Sequence, residues 1–399
     1  MRRQREREGC LFEAASAVQG IMRLQGGFIM KKNVSRHMLT AIVALSAAVA
    51  LPSLAMAKVS GACGDCHTMH NSQDGAAMAS TGVFGTSTPA DDSANGALLR
   101  YGCVGCHTGD NSGGDVPFVL ASTAPTYGTN TLAGGNFYWV TTTDNTGHNV
   151  LDVANGDGAL GDTPPGGAAL TSQLTCAGTM GCHGDRSEED QFGAVAGGHH
   201  GPGNAATNGY VSGSGTDMSD AFRMLAGIEG IEDADWEYTA DVATGDHNLY
   251  KGASRTDETD DATTISSLCA QCHGEFHNGV GNVSSATFGS PWVRHPTDFD
   301  MSALATTSEY AGYTDYSLEA PVAVDTMDGS TDLTAINHAG GLGDAAKTGD
   351  SIVTCVSCHR AHGSPYADLL RWDYSTMDAH NGTTGNTGCF NCHTTKDDA

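Results

Sequence analysis

The sequence predicts a mostly irregular coil, with short helices and few strands, wrapped around a core that side chains alone do not supply. Three observations carry this expectation. The 399 residues include 53 glycines and only 39% are hydrophobic, which leaves few large aliphatic side chains for an interior of this length. Few segments show helical or strand periodicity. Finally, the cysteines come in close pairs, each followed at once by histidine.

From its beginning, the chain reads as a leader and then a long polar body. Lys31-Lys32-Asn33-Val34-Ser35-Arg36, the mostly apolar run from Met38 to Leu51 and Ala55-Met56-Ala57 are the three parts of a secretory signal peptide, with cleavage expected before Lys58. Residues 1–29 are basic and unpatterned and read as a mis-called start ahead of Met30. Residues 30–57 are then the signal peptide and 58–399 a single working domain. No later apolar run approaches the roughly 20 residues that cross a bilayer, so no membrane span is expected. The leader takes eight of the 19 Lys/Arg and three of the 46 Asp/Glu, leaving 11 basic and 43 acidic residues. Such a surface repels nucleic acid and anionic lipid.

Thirteen cysteines are present, and Cys10 lies in the leader. The other twelve form six pairs. Five share one spacing: Cys63/Cys66-His67, Cys103/Cys106-His107, Cys269/Cys272-His273, Cys355/Cys358-His359 and Cys389/Cys392-His393. This is the signature of c-type haem attachment. On one helical turn, positions i, i+3 and i+4 share a face, so two thiols can bond the two vinyl groups of one porphyrin while histidine reaches its iron. The sixth pair, Cys176/Cys182-His183, has five intervening residues, and a short bulge there can bring both thiols to one porphyrin. Zinc sites need two pairs per metal and no histidine after each, and a pure disulfide framework leaves the six histidines unexplained. The expected cofactor is six haem c groups, and the fold class becomes irregular coil with short helices and few strands wrapped around a stacked haem core.

Six irons with two axial ligands each need six further donors. The exported chain offers His70, His148, His199, His200, His247, His277, His295, His338, His362 and His380. His70, His277 and His362 each follow a motif histidine by three or four residues, too close to bend back to the same iron, so each is expected at a neighbouring haem. His148, His295 and His338 lie in the linkers, and one ligand comes from the His199-His200 doublet, taken as His200. His247 and His380 are reserves. Methionine is the rival ligand, but the methionines show no recurring relation to the motifs. Between the motifs, Ser219 to Ile228 reads as a helix with Phe222, Leu225 and Ala226 on one face. Phe137-Tyr138-Trp139-Val140 and Ile352-Val353-Thr354 read as short strands.

Cys63-Gly-Asp-Cys66-His67-Thr-Met-His70-Asn-Ser, Gly147-His148-Asn149, Cys272-His273 with His277, Arg294-His295-Pro296 and Cys358-His359-Arg-Ala-His362 together resemble one family. It is that of the outer-surface multihaem cytochromes of metal-reducing bacteria, of the OmcS and OmcE kind, which polymerise into nanowires. The resemblance implies bis-histidine haems in a continuous stack and extracellular electron transfer rather than enzymatic turnover. It also implies that His70 ligates a haem of the next subunit, taken as the fifth. The implied partners are other copies of the chain, upstream periplasmic or outer-membrane cytochromes, and extracellular electron acceptors. The five-residue pair and the His199-His200 doublet depart from the family pattern. A soluble multihaem shuttle and a multihaem reductase are the alternatives. The reductase needs an open axial position, which a surplus of histidines disfavours.

Overall fold

The computed structural model describes residues 62–396 except 82–87, 90–94, 112–115, 127–131, 196–208, 212–220, 255–260, 278–294, 305–308, 311, 314–315, 328–330, 332, 334–340, 341–348 and 380–386. The signal peptide and His199, His200, His338 and His380 lie outside these residues. Among the described residues the longest helix has six residues, Ile265–Ala270, and no helix is long and apolar enough to cross a membrane. The coil-rich architecture expected from the glycine content is what the chain adopts.

Two small hairpins follow the first motif, β1 (Ser72–Gln73) with β2 (Ala76–Ala77) and β3 (Ser80–Thr81) with β4 (Thr88–Pro89). The main sheet has six strands: β5 (Gly209–Val211), β6 (Gly230–Glu232), β7 (Leu249–Lys251), β8 (Phe299–Asp300), β9 (Ala323–Val324) and β10 (Ile352–Val353). Their order is β5-β6-β7-β9-β10-β8, with only β7 and β9 parallel. One row of partners crosses the sheet from Gly230 through Tyr250, Ala323 and Ile352 to Asp300. Leu249, Met301, Val322 and Val324 fill one apolar cluster against it, and Phe222, Ile228, Ile265 and Ile352 a second. A third cluster, including Val104, Phe137, Val140 and Val150, lies under the second motif.

The strand expected at Ile352-Val353 forms. Two other expectations are corrected. Of the helix expected over Ser219 to Ile228, the described residues 221–228 make only a 3-10 turn at Phe222–Met224, with Arg223 at φ 51°. There the chain doubles back, and Phe222 N–H donates to Ile228 O at 3.1 Å. Of the apolar residues that suggested a helical face, Phe222 and Leu225 are buried in this reversal, and Ala226 is half-buried. Phe137 to Val140 is a run of turns rather than a strand, organised by Asn136, whose Oδ1 accepts from Ala121 and Tyr138 N–H.

Candidate haem-binding sites

No two of the twelve motif cysteines are joined in a disulfide, and all six motifs close the same backbone hydrogen bond. The histidine N–H donates to the first cysteine's carbonyl at 2.8 Å in Cys63–His67, 3.1 Å in Cys103–His107, 2.9 Å in Cys269–His273, 3.1 Å in Cys355–His359 and 3.0 Å in Cys389–His393. The five-residue pair keeps it as well, His183 N–H reaching Cys176 O at 3.0 Å. Its extra residues are accommodated through Gly178, at φ +79°, and Gly181, where a Cβ would stand 2.4 Å from Ala177 N. The third motif thus presents the same two thiols and histidine as the others.

Local packing fixes each turn. Thr264 caps the Ile265–Ala270 helix through Ser267 N–H. Before Cys355–Cys358, Thr354 N–H donates to Ser357 Oγ at 2.9 Å and Ser357 Oγ donates to Pro321 O. Cys103 N–H donates to the buried Asp152 carboxylate at 3.0 Å.

The thiols of successive motifs are neighbours in chain order. Cys106 Sγ lies 3.1 Å from Cys66 Sγ, too far for a disulfide. The Cys176 thiol hydrogen-bonds Cys103. Cys182 lies within electrostatic reach of Cys269 and Cys272, Cys269 hydrogen-bonds Cys355, and Cys358 senses Cys389 and Cys392. Sites one to six, numbered by motif, therefore follow one another in chain order, with direct thiol contacts at three of the five junctions.

At three of these sites a distant histidine faces the motif histidine. Two imidazole nitrogens on opposite sides of one metal, each at about 2 Å, put the ring centroids a little over 6 Å apart. His183 and His362 are 6.1 Å apart, His273 and His148 6.2 Å, and His393 and His295 6.1 Å. These pairs fit a group held between two imidazoles. Burial pushes His148 down to about 4 and His362 to about 3, and lowers His107, His183, His273, His359 and His393. All are thereby kept neutral, as a ligand must be.

A model of the doubled CXXCH motif matches residues 345–398, which hold motifs five and six. The C-type cytochrome OmcS of Geobacter sulfurreducens is 27% identical, over 86% of this chain and 85% of that one. The chain is thus similar to a multihaem c-type cytochrome along most of its length. Among solved structures, the outer membrane cytochrome S filament of Geobacter sulfurreducens matches at 21% identity and TM-score 0.40, over 80% of this chain and 85% of that one. The OmcS nanowires of the same organism match at 21% and 0.38, over 79% and 84%.

The chain places its remaining predicted ligands differently. His70 is exposed beside Met69, which is 81% exposed, and no ring contact among the described residues pairs it with another histidine. His277 is buried and its Nε2 hydrogen-bonds the Asp298 carboxylate, so an iron bond from it would come through Nδ1. His247, a reserve ligand, is buried with its ring stacked on Tyr316 at 4.4 Å.

Sequence reasoning missed the groups that orient the motif histidines. At sites one, three and five, Nδ1 bonds the carbonyl of Ala97, Arg223 or Asp368 at 3.0, 3.0 and 2.7 Å. Each of these residues opens a pair with positive φ: Ala97-Leu98, Arg223-Met224 and Asp368-Leu369. The residue after each motif histidine then donates to the second member, Thr68 to Leu98, Gly184 to Met224 and Arg360 to Leu369. At sites two and four the partners are the carbonyls of Pro117 and Pro165, both at 2.8 Å. Such outer partners fix ring orientation and ligand strength. The signal was present in the repeat Ala97-Leu98-Leu99-Arg100-Tyr101 and Asp368-Leu369-Leu370-Arg371-Trp372.

Proposed function

We propose that the protein is an electron carrier, not an enzyme, that conducts along six covalently bound, bis-histidine haems c as the repeating subunit of an extracellular filament. The observation that carries this reading is the succession of neighbouring motif thiols in chain order, in direct contact at three of the five junctions. Each bound haem supplies a one-electron couple spread over a flat macrocycle. The chain's task is to hold such groups edge to edge, keep their ligands neutral and exclude water. His362 then serves site three, His148 site four and His295 site six. His362 reaches a site other than its own motif's, which fits its position three residues after His359.

The signal peptide supports export. The likeness to a protein known as a filament supports polymerisation. His70 supports the joint: it is exposed, lies near the mature start and follows the exposed Met69. A ligand from one copy to site five of the next makes a head-to-tail contact, which extends rather than closes. Upstream periplasmic or outer-membrane cytochromes would load such a filament, and extracellular acceptors would drain it.

His70→Ala tests this. Mass spectrometry should still find six haems per chain, electron microscopy should find no filaments, and one haem per monomer should turn high-spin. Intact filaments from the variant would place the joint elsewhere. A mass with five haems in the wild type would remove Cys176 and Cys182 from the set.

A further inference from the structure

Five of the six motif histidines direct Nδ1 to a backbone carbonyl. His393 does not. Its Nδ1 is 3.0 Å from the Oε1 of Glu309, and the other carboxylate oxygen is 2.8 Å from Lys396 Nζ. The glutamate is held in place by the last turn of the chain. Its carbonyl accepts from Thr395 N–H at 3.0 Å and from Thr394 Oγ1 at 3.2 Å, and Gly312 N–H donates to Thr394 Oγ1 at 2.8 Å. The Tyr310 ring stands 4.8 Å from that of His393. Three separate contacts thus aim a full negative charge at the back of one imidazole.

A carbonyl dipole and a carboxylate act on a ligand to different degrees. A charged acceptor makes a hydrogen bond roughly twice as strong as a neutral one, draws the Nδ1 proton further and raises the basicity of the nitrogen that faces the iron. More electron density at the iron favours its oxidised state, and the nearby charge opposes an added electron. Second-shell hydrogen bonding is one of the protein's levers on haem potential.

We propose that Glu309 sets site six apart from the other five, making the haem held by Cys389, Cys392 and His393 the hardest to reduce. The step concerned is addition of one electron to the iron, with no bond formed or broken and the proton kept between Nδ1 and Oε1. Lys396 tempers the effect by sharing the carboxylate. At one end of the line of sites, electrons therefore rest least, and site six is the last of the six to fill. This rests on the reading that site six binds haem.

Glu309→Gln keeps an acceptor oxygen and removes the charge. Potentiometric titration followed by electron paramagnetic resonance should show one haem of six shifted upward, its reduction favoured about tenfold, equivalent to about 59 mV for one electron. The g-values of that same haem should move, which a remote charge would not cause, and Glu309→Asp should restore much of both. Lys396→Ala, at a side chain half exposed, should shift the same haem downward and serves if the first variant folds poorly. Six haems attached with no single-haem shift in either variant overturns the proposal. A wild type without haem at Cys389 and Cys392 overturns the underlying reading instead, and mass spectrometry of each protein tells the two apart.

Discussion

At the first, third and fifth motifs the histidine leans on a turn of two left-handed residues, whereas at the second and fourth it leans on a proline carbonyl. The first arrangement stores strain. A non-glycine residue in the left-handed region costs about 1 kcal/mol or more, and Ala97, Leu98, Arg223, Met224, Asp368 and Leu369 all sit there. What offsets the strain is a set of hydrogen bonds around each histidine. At site five Nδ1 meets Asp368 O, Arg360 N–H meets Leu369 O and Arg371 N–H meets Cys358 O. The second arrangement stores none, because proline already prefers φ near −65°. Sites one, three and five are thus held by an improbable backbone that only the completed structure stabilises, and sites two and four by a backbone shaped in advance.

Proline itself gives the sharpest test of that difference. Asp368 is exposed, so Asp368→Pro removes no packing, yet it forces φ from +59° to near −65°. The cradle at site five should be lost at a cost of about 3 kcal/mol or more, and that site should show weakened or absent haem attachment. A folded variant with six haems and unchanged thermal unfolding would show that the left-handed turn is incidental.

Acid should separate the two kinds of site less drastically. Burial lowers His148, which pairs with His273 at site four, to about 4, and His362, which pairs with His183 at site three, to about 3. An unfolded histidine titrates near 6.5. Between those values the unfolded chain binds more protons, so stability is fully present above about pH 6.5 and falls as pH drops through 4 toward 3. On acidification, high-spin haem should appear in two steps, site four before site three. The reverse order would mean that the odd cradle, not the buried distal ring, decides which site opens first.

The local turns of the six motifs were legible in the sequence because thioether chemistry dictates local spacing, and even the Cys176 pair, read from its histidine, closes the same backbone hydrogen bond. The coil-rich fold was legible from glycine content. The helix expected near Phe222 was not, because its apolar spacing serves a reversal stabilised by Ile228 and the sheet. Distal pairing was only partly legible. His362 could be excluded from its own site by distance along the chain, but its partner His183 lies 179 positions away and nothing local announces it. His277 carried the same signal as His362, and its Nε2 is engaged by Asp298, which sequence spacing could not reveal.

The smallest effect is expected where the comparison looks most dependent on a named residue. Pro165 supplies the partner of His273, but through its carbonyl, which any residue carries. Pro165→Ala should therefore leave the 2.8 Å contact in place. The loss should come from the unfolded chain, which gains freedom when the ring is removed, a destabilisation of about 0.4–1 kcal/mol. Thermal unfolding should shift by a few degrees at most, with all six haem potentials unchanged. A shift in one potential would mean that the ring, by fixing the direction of its carbonyl, tunes site four. In that case even sites would be set by their side chains throughout, and Glu309 at site six would be the extreme of a series rather than its exception.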